Sequence, residues 1–116
     1  MPNSLCHFEF MTADVERCRS FYSSVFGWNF DSSSMPGYTL IDTGHEPSGG
    51  ILSAPQEKSG PRLNVYFKVA DMDQVLSAVK QNGGRELVPK TPIPGVGHFA
   101  LFADPEGTIV GIMQPG

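Results

Sequence analysis

The feature that most constrains this chain is that it matches itself. Shifted by 57 positions, FEFMTADVERCRSFYSSVFG (8–27) lies on VYFKVADMDQVLSAVKQNGG (65–84) without a gap, and Phe10/Phe67, Ala13/Ala70, Asp14/Asp71, Ser20/Ser77 and Gly27/Gly84 coincide. Each pair has a structural reading. The aspartates stand where a strand would end and a helix begin, the place for an N-cap, and Gln74 completes a capping-box spacing after Asp71. The glycines stand where the helices would end, as C′ residues do. Between them Val15, Cys18, Phe21, Tyr22, Val25 and Phe26 recur at helical spacing, as do Met72, Val75, Leu76 and Val79.

An alternating strand precedes each helix and three strand candidates follow it. They are 28–33, GYTLID and GGILS in the first half, and RELVP, HFALFAD and TIVGIMQ in the second. The expectation is an α+β fold of two tandem βαβββ modules within a single domain over 1–116. The modules run from about 4–54 and 62–116, with a polar Pro/Gly linker at 55–61. One helix covers one face of a four-stranded sheet. Phe8 and Phe10 take the helix side, so His7, Glu9 and Met11, and Asn64, Tyr66 and Lys68 in the second half, share the other. Two twisted sheets side by side curl into a trough, a mixed sheet forming a cup, and these residues would then line it with His98, Phe102 and Met113. Apolar walls with a few polar groups suit a small organic ligand. The bland alternative is a wet outer face.

Composition narrows the partners. A net charge of −4 argues against nucleic acid, and no stretch approaches a membrane span of roughly 20 apolar residues. MPNSLCHFEF lacks the charged start and apolar run of a signal peptide, so a cytoplasmic protein is expected. Cys6 and Cys18 make neither a disulfide framework nor a CxxC pair. Cys6 and His7, adjacent on a strand, point to opposite faces and form no nucleophile–base pair. Cys18 reads as core and His45 as a solvated loop residue. No GxSxG, HExxH or Walker motif is present.

DVERCRSFYSSVFGW, the GGI segment and IPGVGHFALFADPEG leading into TIVGIMQP resemble the vicinal oxygen chelate superfamily. That group includes glyoxalase I, bleomycin-resistance proteins and extradiol dioxygenases, and the likeness is greatest to its small glyoxalase-like branch. The resemblance implies paired βαβββ modules and commonly a homodimer. In metal-using members four residues from the first and last strands of each module bind one divalent ion. His7 matches the first of these positions. Asn64 stands where a second His is usual, Gly111 stands where a Glu is usual, and residues 49–53 offer no carboxylate, imidazole or thiol. Several strong donors are needed for such an ion, so no metal or other cofactor is expected. A different set, His7, Glu9 and His98, stays open as an alternative.

The expected function is a small-molecule-binding protein of the glyoxalase/bleomycin-resistance kind. Glu9 and His7 are its candidate catalytic groups, and the other named residues are its candidate ligand contacts. The alternatives are a lyase or isomerase acting on a small carbonyl compound or aldehyde–thiol adduct, and an accessory dimer without a ligand. In the enzyme reading a desolvated Glu9 is the general base. Against it stands a salt bridge to Lys68 or His7 that merely satisfies buried charge.

Overall fold

The computed structural model describes residues 3–53 and 62–116, so the expected linker lies outside the described residues. The elements follow in the order β1 (Leu5–Thr12), α1 (Val15–Phe26), β2 (Asn29–Met35), β3 (Tyr38–Asp42), β4 (Ser48–Ser53), then β5 (Arg62–Lys68), α2 (Met72–Gln81), β6 (Arg85–Ile93), β7 (Gly97–Ala103), β8 (Ile109–Pro115). This is the α+β pattern βαβββ, twice. The chain divides into two compact units, His7–Asn64 and Val65–Gly116, the second joined by the residues up to Cys6. Ser4 and Asn3 belong with the second unit through backbone bonds, Lys68 N–H to Ser4 O and Asn3 N–H to Lys68 O, each 2.8 Å.

In the first unit the strand order is β2-β3-β4-β1. β1 and β4 are parallel, with His7 opposite Ser48 and Glu9 opposite Gly50. The two hairpin pairings, β2–β3 and β3–β4, are antiparallel. The second unit repeats this as β5-β8-β7-β6. Its parallel pair sets Tyr66 opposite Gly111 and Lys68 opposite Met113.

The caps follow the repeat, with one correction. Asp14 Oδ1 accepts the Arg17 N–H at 3.1 Å and Asp71 Oδ1 accepts the Gln74 N–H at 3.2 Å. Gly27 is the left-handed residue that ends α1, at φ 72°. Its partner in the repeat, Gly84, is not the C′ residue of α2. That role falls one place earlier, to Gly83 at φ 92°. Gly84 N–H bonds Val79 O at 2.8 Å and Gly83 N–H bonds Lys80 O at 3.4 Å, the two reverse bonds of a Schellman end. Gly84 is needed for space, since a Cβ there would lie 2.7 Å from Ala103 O.

The two units are filled differently. Under α2 lies a closed aliphatic core of Val69, Met72, Leu76, Ala100 and Ile112. Under α1 lies a layer of rings. Phe10 meets Tyr22 at 4.8 Å, Tyr22 stacks on Trp28 at 5.6 Å, and Phe8 packs against Trp28 at 5.9 Å. The side chain of Phe8 also fills the space that a Cβ on Gly49 would need. None of the residues of α1 is buried.

Candidate functional site

Alternation along β1 sends Phe8 and Phe10 to the α1 side, so His7, Glu9 and Met11 take the opposite face with their registered neighbours Ser48, Gly50 and Leu52. β3 adds Tyr38, which is opposite Leu52, and Leu40, which is opposite Gly50. The polar centre of this face is a hydrogen bond of 2.8 Å between His7 Nε2 and Tyr38 Oη, with the two rings inclined by only 23°. Burial pushes the His7 pKa below its ordinary 6.5, opposed more weakly by a hydrogen bond with the Ser48 backbone. That bond raises the pKa, which identifies the Ser48 carbonyl as acceptor of an imidazole N–H. In the neutral ring Nε2 is then the lone pair, and Tyr38 Oη–H donates to it.

Tyr38 was not among the residues the sequence pointed to. Its signal is the Gly49–Gly50 pair. A Cβ on Gly50 would strike the Tyr38 ring and hydroxyl, just as one on Gly49 would strike Phe8. Two glycines in a row inside a strand announce large rings on both sides, and the β3–β4 hairpin supplies one of them.

Further along the same face Met11 Sδ accepts from Asn64 Nδ2 at 3.1 Å and from Arg62 at 3.5 Å. Asn64 is only 3% exposed. At this end of β1 a groove of about 580 Å³ runs past Phe10, Met11, Cys18, Phe21, Arg62 and Leu63. Cys18, expected in the core, is half-buried and in this wall, where partial burial pushes its thiol pKa up. His45 is exposed. Cys6 is likewise pushed up by burial, with Lys68 opposing, so neither thiol is activated.

In the second unit Tyr66 is buried and its ring fills the space above Gly111. Lys68 and Met113 share that face by register. His98 and Phe102 do not. They alternate with Ala100 on β7 and register with Gln114 and Val110 on β8, on either side of Ile112. Ala100 and Ile112 are core residues beneath α2, with Phe102 packed against them, and Gln114 Oε1 accepts the Met72 N–H at 2.7 Å. The inward placement expected for His98 and Phe102 is therefore corrected: the β7 register turns both toward the helix. His98 Nδ1 is buried without a hydrogen-bond partner among the described residues.

A glyoxylase-like domain-containing protein of Didymella fabae is 34% identical over 120 residues, covering 93% of this chain and 91% of its own. The chain belongs to the glyoxylase-like proteins of the vicinal oxygen chelate superfamily. A family model described as bleomycin resistance protein-like N-terminal matches residues 5–44 of this glyoxylase-like chain. The candidate glyoxylase CFP32 of Mycobacterium tuberculosis is 31% identical over 113 residues, which are 91% of this chain but 43% of that protein. The chain thus spans less than half the length of this relative. Methylmalonyl-CoA epimerase from Mycobacterium tuberculosis shares the fold, with a TM-score of 0.67 at 14% identity over 97% of this chain and 88% of its own.

Register now decides the fit of the superfamily's metal. Gly50 stands to Glu9 as Gly111 stands to Tyr66, so Gly50 is the first-unit counterpart of the position where a metal-binding Glu is usual. At both places the volume a carboxylate stem would occupy holds a tyrosine ring. The residues present do not fit the superfamily's metal set. Among the described residues no group of three His, Cys, Asp or Glu side chains is placed to hold an ion, and His98 is turned to the helix side of its own sheet. No described helix is long and apolar enough to cross a membrane.

Proposed function

We propose that this glyoxylase-like protein binds a small organic molecule on the first unit's strand face opposite α1, without the superfamily's metal. The observation that carries this reading is the His7–Tyr38 pair lying over Gly50. The place of a metal-binding carboxylate is given to a phenol that a neutral imidazole holds in position. Such a pair offers a ligand a directional polar contact between apolar neighbours, Met11, Leu40 and Leu52. Glu9 lies next in line on the same strand face, and Asn64 and Arg62 continue the polar track by way of Met11. In the second unit Tyr66, Lys68 and Met113 occupy the equivalent face of its own strands and are proposed as ligand contacts of that unit.

The chemistry these groups can supply is binding, orientation and proton handling. Tyr38 Oη, whose own proton goes to His7, accepts a hydrogen bond from a hydroxyl or amine of the ligand, and His7 holds the phenol's direction. Glu9, when its carboxylate is desolvated by a ligand, is the group able to take a proton from it. That last role makes a lyase or isomerase of small carbonyl compounds the enzymatic form of the same site.

Metal analysis of protein purified without chelator tests the first part, and stoichiometric zinc, nickel or iron would overturn it. Calorimetric titration with the methylglyoxal–glutathione adduct and its parent aldehyde tests the second. Binding should weaken at least about tenfold in Tyr38→Phe, the size of one hydrogen bond to the ligand. Turnover that disappears in Glu9→Gln while binding persists would identify an enzyme.

A further inference from the structure

The groove at the end of β1 lies wholly within the first unit, and neither His7 nor Tyr38 lines it. Its volume of about 580 Å³ is that of a small-molecule pocket. Part of its wall is aromatic. Phe10 and Tyr22 have ring centroids 4.8 Å apart, and Phe21 stands edge-on to Tyr22 at 5.0 Å. Leu63 adds aliphatic surface, and both it and Phe21 are more than half exposed, so this apolar wall is open to a ligand.

The charged lining is uneven. Arg17 and Arg62 enter it with one acid, Asp14, which is two bases against one acid in a chain of net charge −4. Asp14 Oδ1 already accepts the Arg17 N–H as the cap of α1. Glu16 is paired with Arg19 at 3.7 Å and is not part of the lining. Cys18 is kept protonated by burial, so it adds no negative charge. Arg62 donates to Met11 Sδ at 3.5 Å, and a thioether is a far weaker acceptor than a carboxylate.

We infer that this groove is a second ligand site, for a monoanionic amphiphile: a carboxylate held by Arg17 and Arg62, with its apolar body on Phe10, Phe21, Tyr22 and Leu63. A guanidinium fork matches the planar carboxylate. One positive charge in excess suits a monoanion better than a phosphate dianion. A cationic amphiphile meets two guanidiniums, and a neutral one gains no charge-assisted bond. Met11 and Arg62 border both this groove and the polar track proposed above, whereas Arg17 belongs to the groove alone.

Titration of the full chain with decanoate, decanol and decylammonium, each below the concentration at which it forms micelles, tests this. Trp28, the single tryptophan, stacks on Tyr22 at 5.6 Å, so its emission reports on the groove. Decanoate should saturate at one per chain and bind at least about tenfold tighter than either of the others. Arg17→Gln and Arg62→Gln should each weaken decanoate about tenfold and leave decanol unchanged. Arg85→Gln, on β6, should change neither. Added salt should weaken decanoate and spare decanol. Wild-type amide resonances give a reading independent of any variant: those of Arg17, Cys18, Phe21 and Leu63 should move with decanoate. Tyr38→Phe should leave decanoate binding intact, so the two sites stand or fall separately. Equal affinity for the three probes overturns the inference, as does decanoate binding that is indifferent to both groove arginines, that is lost in Tyr38→Phe, or that shifts amides elsewhere.

Discussion

Two copies of one plan meet different ends in this molecule. In the second unit the helix is sealed: Met72 is fully buried, Leu76 nearly so, and Val69, Ala100 and Ile112 close beneath them. In the first unit the helix rests on stacked rings and buries nothing completely. The repeat therefore separates two tasks. The second copy closes an aliphatic core beneath its helix, and the first, whose fully buried side chains Ile41 and Ile51 lie on strands, presents an aromatic helix on one side and the His7–Tyr38 pair on the other.

The largest effect that would break or sharpen this contrast is at the paired helix starts. Met72→Ala should cost about 3 kcal/mol, as a fully buried side chain leaving a cavity. Val15→Ala, its half-buried counterpart, should cost about 1 kcal/mol or less. Equal shifts in urea midpoint would show that the two cores are alike after all. Next come the paired glycines. Gly111→Ala drives a methyl into the buried Tyr66 ring and should cost about 2–3 kcal/mol. Gly50→Ala meets the half-buried Tyr38, which can swing outward, so about 1 kcal/mol is expected. The His7 ring resonances should move at the same time as their partner leaves. The caps should show no contrast: Asp14→Ala and Asp71→Ala each remove one N-cap bond and should cost about 1 kcal/mol.

The smallest effect is in pH. The folded protein holds the His7 pKa below its ordinary 6.5 through burial. The unfolded chain therefore binds more protons between those two values, and stability must rise with pH across that window. The contribution is complete above 6.5 and is lost as the pH falls from there toward the folded value. Asn64, the residue that matches His7 in the repeat, does not titrate. The wild type should thus lose more stability than His7→Gln on going from about pH 7 to 5.5, and parallel losses in urea titrations would refute the assignment.

Most of the fold was legible because the repeat reports helix starts and strand alternation twice. Its one slip, Gly84 for Gly83, comes from reading an aligned glycine as a shared role, although Gly84 answers to Ala103 rather than to backbone handedness. The site was legible in part. Alternation places His7, Glu9 and Met11 on one face by strand geometry alone. His98 and Phe102 were misplaced because β7 must be read against β8, where Ala100 pairs with the core residue Ile112 and His98 with Gln114, which is tied to the start of α2. Tyr38 was missed because its signal lies in a neighbour: glycine shows that space is needed and leaves unsaid which residue fills it.

The Gly50–Tyr38 contact has a bearing on descent. A side chain at position 50 and the ring of Tyr38 claim the same volume, so exchanging carboxylate for ring is best accommodated by altering two residues on different strands. Relatives that use an ion here and those that do not would then be separated by a paired substitution rather than by gradual drift.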